Sequence, residues 1–275
     1  MGEDAMDPDT AAASMPATAP ELTDDAFLGG ALSILQLRSG YRAGLDAVML
    51  AAAVPDAKGG RPLRVLDIGA GVGTAGLCLA RRLPSAEVVL LEREQQLAEL
   101  AAENIRRNNL AGRVRVVAAT IGAAPADLRA NALVDESFDH VIANPPYHAT
   151  GAGTLAPDAL KAGAHAMDVE ELDRWARFMA RMALPGGAAT IVHKADALTC
   201  VLNALGTRFG ALKIMPLHPR PGAPASRVLV QGIKGSRAPL QILPGFVLHG
   251  EGNGFTDAAQ EILRNGAPLP LIGAR

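Results

Sequence analysis

Asn144-Pro145-Pro146-Tyr147 sets an amide, a carbonyl fixed between two prolines and an aromatic ring in four consecutive positions. A conjugated amino nitrogen is a poor nucleophile because its lone pair is delocalised. To attack an electrophile it must pyramidalise, and both of its hydrogens then need acceptors. The Asn144 side-chain oxygen and the Pro145 carbonyl are two such acceptors. Pro146 stiffens the loop so that they are aimed beforehand, and Tyr147 offers a flat face on which an extruded base can stack. No side-chain base is needed, since an ammonium product loses its proton readily. Asn144, Pro145, Pro146 and Tyr147 are therefore the catalytic candidates; the bland alternative is a proline turn with a packing tyrosine.

A second stretch, Asp67-Ile68-Gly69-Ala70-Gly71-Val72-Gly73, follows a buried apolar run and precedes a helical one. Glycines there let the backbone turn tightly and approach a ligand at the helix amino end. A dinucleotide fingerprint wants its last glycine one residue after Gly73, where Thr74 stands, so this form suits a nucleoside better. Glu92 ends the next apolar run 19 residues after Gly73, where an acid can accept ribose hydroxyls. Asp67, Gly69, Ala70, Gly71, Gly73 and Glu92 are the cofactor-binding candidates, and placement alone leaves nicotinamide dinucleotides open beside other nucleosides.

The elements that must position these residues are legible from periodicity. Buried runs at 64–68, 88–91, 113–117, 138–143 and 189–193 read as strands, and 74–83 and 95–109 as helices, the latter with Leu97, Leu100, Ala101 and Ile105 on one face. Asp168 with Glu171 forms a capping box for a helix carrying Leu172, Trp175, Ala176, Met179 and Ala183, ended by Pro185-Gly186-Gly187. Strands alternating with helices predict an α/β fold with a doubly wound, mostly parallel sheet. The runs 211–217 and 227–233 have no helix between them and should pair antiparallel at the sheet edge. Ahead of this core, 32–37 reads as a strand and 45–54 as a helix stopped by Pro55. Residues 1–23 show no periodicity and read as a disordered acidic tail, leaving 24–275 as a single domain with elaborations at 24–60 and 218–275.

The 275 residues hold 26 bases and 28 acids, yet seven of those acids lie in residues 1–25 with no base among them. The rest of the chain has an excess of five bases. From 197 to 250 there is no acid but Arg208, Lys213, Arg220, Arg227, Lys234 and Arg237 are present, a stretch that suits a polyanion. Two cysteines, Cys78 and Cys200, cannot make a disulfide framework, and the six scattered histidines show no metal-ligand spacing, so no metal is expected. An acidic amino terminus is unlike a signal peptide, and the longest clean apolar run, 47–54, is too short to span a bilayer. A soluble, cytoplasmic protein is expected, with no membrane partner.

Residues 65–73, Glu92 and the Leu184-Pro185-Gly186-Gly187 turn resemble the motifs of Rossmann-like, class I S-adenosyl-L-methionine-dependent methyltransferases. The resemblance implies a seven-stranded sheet with an antiparallel edge strand, with 67–73 around the methionine part of the cofactor and Glu92 on its ribose. Many such enzymes hold the cofactor adenine with an acid after the third strand, where this chain has Ala119-Thr120-Ile121. Asn-Pro-Pro-Tyr resembles the signature of amino-group methyltransferases acting on adenine N6, cytosine N4, guanine N2 or glutamine N5. Residues 40–50, His218-Pro219-Arg220, Arg227-Val228-Leu229-Val230 and Gly254-Phe255-Thr256 narrow it to the tRNA(Val) adenine-N6 methyltransferase family, with Leu45 where that family usually has Thr. That family modifies the adenine immediately 3′ of the anticodon. The resemblance implies tRNA as partner, Arg42 and Asp46 against the methionine end of the cofactor, and Asn144 beside it. Lys213, Arg220, Arg227, Lys234 and Arg237 would then form a phosphate-binding rim with Tyr147 stacking the flipped adenine. Glutamine methylation of a release factor, guanine-N2 methylation of rRNA and a non-catalytic RNA-binding scaffold are the alternatives.

Overall fold

The computed structural model describes residues 21–39, 42–56, 61–146, 157–269 and 271, with helix backbone alone over 157–168. A hairpin of β1 (Leu22–Phe27) and β2 (Leu32–Leu37) leads through α1 (Leu45–Ala52) to the main sheet. There β3 (Arg64–Ile68), α2 (Thr74–Arg82), β4 (Glu87–Glu92), α3 (Gln95–Arg107), β5 (Val114–Ala118), α4 (Pro125–Ala130) and β6 (Phe138–Ala143) alternate as expected. The chain continues as α5 (Pro157–Met182), β7 (Ala183–Lys194), α6 (Leu198–Gly206), β8 (Phe209–His218) and β9 (Arg227–Lys234). Two short strands, β10 (Gln241–Ile242) and β11 (Phe246–Val247), and helix α7 (Asp257–Asn265) complete it.

Strand order is β10-β8-β9-β7-β6-β3-β4-β5, with β11 also on β8. The five strands from β3 to β7 run parallel, and β9 runs antiparallel to both β7 and β8. Val65, Leu66 and Ile68 of β3 are fully buried because both sheet faces are covered. One layer holds the hairpin with α1, α2, α3 and α7, and the other holds α4, α5 and α6. The chain leaves β3 toward β4 and β5 and returns on the opposite flank as β6. The β3/β6 boundary is thus the topological switch point, where open α/β sheets hold ligands at their carboxyl edge.

Four expectations need correction. Among the described residues the sheet has nine strands rather than seven, because β10 and β11 add parallel to β8. Two-residue strands carry no periodicity to read. The antiparallel strand is not at the edge: the α6 crossover carries β8 two strand positions from β7, and β9 returns into the gap between them. Asp168 lies inside α5, which begins at Pro157, so there is no helix start for a capping box to close. Leu22 and Thr23 belong to β1, inside the segment read as tail; residues 1–20 lie outside the described ones. Pro185-Gly186-Gly187 does follow the helix, as an irregularity early in β7 where the pairing with β6 shifts register and Gly186 has φ +76°. No helix among the described residues is long and apolar enough to cross a membrane.

Candidate active site

Ile68 of β3 pairs with Leu91 of β4 on one side and Ala143 of β6 on the other. In-register parallel pairing makes the three strands end level. The glycine loop, Glu92 and Asn144 therefore leave the sheet side by side at its carboxyl edge, across the switch point.

The three loop glycines have positive φ of +64°, +57° and +90° at Gly69, Gly71 and Gly73, but each answers a different constraint. A Cβ on Gly69 would run into the Trp175 ring, which packs beneath the loop from α5. A Cβ on Gly73 would lie 2.8 Å from Leu90 Cδ1, so that glycine lets α2 close on β4. A Cβ on Gly71 would meet no protein atom within 4 Å. Only Gly71 turns its bare backbone toward open space above the sheet.

Glu92, 6% exposed, holds that loop in place: its Oε2 accepts from Gly71 N at 2.7 Å, and its Oε1 accepts from Arg93 N at 2.8 Å and Glu94 N at 2.9 Å. About four acceptor positions exist on a carboxylate, so these bonds leave one. Asn104, fully buried on α3, ties the loop to the hairpin by donating to Val72 O and Leu35 O, both at 3.0 Å, and accepting from Leu35 N at 2.8 Å.

Asp67, 2% exposed, points the other way, its Oδ2 accepting from Gly76 N at 2.9 Å in the first turn of α2. That bond and the helix dipole favour the carboxylate, but burial, with the Glu92 charge adding to it, dominates and pushes its pKa from 3.8 up to about 7. In the unfolded chain Asp67 ionises near 4, so between these values the native state binds more protons. Stability from this group is full below about pH 4 and is lost as pH rises through about 7. An Asp67→Asn protein, whose amide oxygen still accepts from Gly76, should match wild type in melting temperature near pH 4. It should gain on it up to pH 8, and a difference flat in pH would show that Asp67 is ionised throughout.

Of the reaction loop, Asn144 is half-buried, Pro145 buried and Pro146 exposed, while Tyr147 lies outside the described residues. Arg42 is exposed and pairs with Asp25 at 2.6 Å in the hairpin. Asp46, in the first turn of α1, accepts from Arg227 Nε at 2.9 Å. Arg227 opens β9 opposite Lys194, the last residue of β7, so this ion pair sits at the carboxyl edge too. Arg220 follows β8 at the same edge.

The expected basic rim does not assemble as one surface. Lys234 ends β9 at the amino edge, bonded to Glu136 at 2.7 Å and Ala183 O at 2.9 Å, and Arg237 lies beyond it beside the start of β8. Arg227 and Lys234 are roughly 24 Å apart at about 3.4 Å per strand residue. Lys213 is mid-strand on β8, opposite Gln231. The cause is the antiparallel course of β9, which sends residues close in sequence to opposite edges. Two site-building residues, Trp175 and Asn104, carry no motif that ties them to the loop. Asn104 still gives a signal, being a polar residue on the apolar stripe of α3 formed by Ala98, Ala101 and Ile105.

Residues 45–168 match the family model described as "Methyltransferase small domain". A tRNA1(Val) (adenine(37)-N6)-methyltransferase of Bacteroides fragilis (strain YCH46) is 29% identical over 69% of this chain and 76% of that protein. The enzyme of the same name from Escherichia coli O6:K15:H31 is 35% identical over 44% of this chain and 46% of its own. Among solved structures, a predicted O-methyltransferase from Agrobacterium tumefaciens is 34% identical and superposes with a TM-score of 0.67, covering 82% of this chain and 98% of its own. The residues fit the cofactor this family uses, S-adenosyl-L-methionine: Gly71 leaves room for a nucleoside to approach the backbone, and the buried Glu92 keeps an acceptor position beside it. With a switch-point glycine loop on an α/β sheet and a relative matched along nearly its full length, the chain belongs to the class I S-adenosyl-L-methionine-dependent methyltransferases.

Proposed function

We propose that this enzyme methylates N6 of adenine in RNA, at adenine 37 of a tRNA(Val) in the cytoplasm. The observation that carries the reading is the level exit of Asn144-Pro145 from β6 beside the glycine loop after β3. S-adenosyl-L-methionine supplies an electrophilic methyl group. Asn144 Oδ1 and the Pro145 carbonyl accept the two amino hydrogens as the nitrogen pyramidalises, and neither is a base. A hydroxyl acceptor has one hydrogen and needs a base to take it, so this pair suits an amino group and not a hydroxyl. The backbone of residues 69–73 would hold the methionine part; Asp46, paired with Arg227, and Arg42, paired with Asp25, would reach it only by leaving those partners. Glu92 would take one ribose hydroxyl without giving up Gly71, and Tyr147 is the residue that the sequence offers for stacking the target base. The choice of tRNA and of adenine 37 rests on the names of the relatives.

The test is transfer of labelled methyl from S-adenosyl-L-methionine to total tRNA from cells lacking the gene, followed by nucleoside mass spectrometry. N6-methyladenosine in tRNA(Val) is the expected product; label in methylguanosine or in protein would overturn the assignment. For capture of the RNA, Arg220→Ala with Arg227→Ala should weaken tRNA binding. It should also flatten the salt dependence by about 0.7–0.9 in log K per log salt for each phosphate that is no longer neutralised. Lys234→Ala with Arg237→Ala, at the opposite edge, should leave that slope unchanged. Equal effects of the two pairs in filter binding would contradict the division of the basic residues by β9.

A further inference from the structure

We propose that Phe255, stacked on His249 and flanked by Arg220, is a second base-stacking platform for an unpaired nucleotide of the RNA, away from the reaction loop. The proposal rests on the reading of RNA as substrate.

Among the described phenylalanines only Phe255 is exposed, at 38%, and it is not loosely held. Its ring stacks on His249 with centroids 4.5 Å apart and planes 22° from parallel. A backbone bridge joins the same two residues, and Gly250 N donates to Gly254 O at 3.1 Å beyond it. The loop is clamped at both ends. Upstream, β11 pairs with Leu217 and His218, and the ladder extends through Leu248 N to His218 O at 2.9 Å and His249 N to Pro219 O at 3.1 Å. Downstream, the Thr256 hydroxyl donates to Val247 O at 2.9 Å and accepts from Ala259 N at 3.2 Å, capping α7. A preorganised aromatic face loses little entropy when it binds.

Position and charge point to RNA as the occupant. The ladder onto β8 sets the loop at the carboxyl edge, the edge that carries Asn144. From β6 through β7, β9 and β8 to β11 are four strand steps, roughly 19 Å at about 4.8 Å each. That span fits a base a few nucleotides from the target in a splayed single strand, not the target itself. Arg220 is exposed and bonds Gly252 O and Asn253 Oδ1, the latter at 3.0 Å. Both acceptors are neutral and lie three and two residues before the ring, and among the described residues Arg220 is in no ion pair, although Glu251 shares the loop. An exposed aromatic next to a planar cation is the combination that unpaired bases and their phosphates select.

The test is fluorescence anisotropy of labelled anticodon stem-loop RNA on the full chain. Phe255→Leu keeps an apolar side chain against His249 but removes the ring, and its RNA dissociation constant should rise about tenfold. Phe255→Tyr should restore it, and S-adenosyl-L-methionine affinity by calorimetry should be the same for all three proteins. Stem-loops with single abasic sites should include one, outside the target adenine, that weakens wild type about tenfold and leaves Phe255→Leu unaffected. Wild-type RNA affinity in Phe255→Leu, or abasic sites that weaken both proteins equally, overturns the platform and leaves the patch to a protein partner. If wild type transfers no methyl to RNA while Phe255→Leu still loses RNA affinity, the substrate reading fails and the platform stands. A wild type that binds no RNA overturns both.

Discussion

An Asn144→Ala protein should lose about 10²–10³ in turnover while its S-adenosyl-L-methionine affinity stays within a few-fold. A planar amino group gains little from strong acceptors, whereas the pyramidalised, partly positive nitrogen of the transition state gains much, so the loss falls on kcat and not on binding. The geometry supports that separation. Glu92 and residues 69–73 lie on the β3–β4 side of the switch point, and Asn144 comes from β6 on the other. Single-turnover rates with cofactor saturating, set beside calorimetric affinities, measure both quantities. Near-normal turnover would sink the mechanism, and loss of cofactor affinity in step with rate would make Asn144 a cofactor ligand alone.

Gly71→Val should abolish cofactor binding and do so without unfolding the protein. A Cβ there meets no protein atom within 4 Å, so the added side chain fills the space a nucleoside must approach through and not the core. Its φ of +57° costs an ordinary non-glycine residue about 1–2 kcal/mol, and a β-branched valine more than that, which lowers the melting temperature of a domain that should still fold. Gly69→Ala is the control, since its Cβ runs into Trp175 and loosens the packing of α5 beneath the loop. Calorimetry with S-adenosylhomocysteine and thermal melts on both variants separate the two effects. Retained affinity in Gly71→Val, or a melting loss as large as that of Gly69→Ala, would contradict the assignment of Gly71 to the ligand face.

Much of this site was legible in the sequence, because its signals are local. Alternation of buried runs and helical stripes located β3, β4 and β6 to within a residue or so, and the glycines that follow β3 and the prolines that follow β6 mark strand ends directly. Since parallel strands in such a sheet bind at one edge, locating the ends also located the candidate residues there. The hairpin was half legible: β2 showed its apolar alternation, while β1 was assigned no strand and its first two residues, Leu22 and Thr23, were placed in the tail.

Only the tertiary structure decided what faces what. Periodicity tells which residues are buried but not which strand is the neighbour, and the crossover through α6 that opens a gap for β9 has no local signature. That one topological choice joins Asp46 to Arg227 across 181 residues and sends Lys234 and Arg237 to the far edge, dividing a basic segment that is continuous in sequence. The same holds for Trp175 under Gly69 and Asn104 against Val72: each is an ordinary helix residue until packing brings another segment onto it. The sequence determined which residue types line the carboxyl edge around β3, and long-range packing determined which of the remaining charged and aromatic residues share that edge, because pairing partners far apart in the chain are chosen by how layers close and not by local pattern.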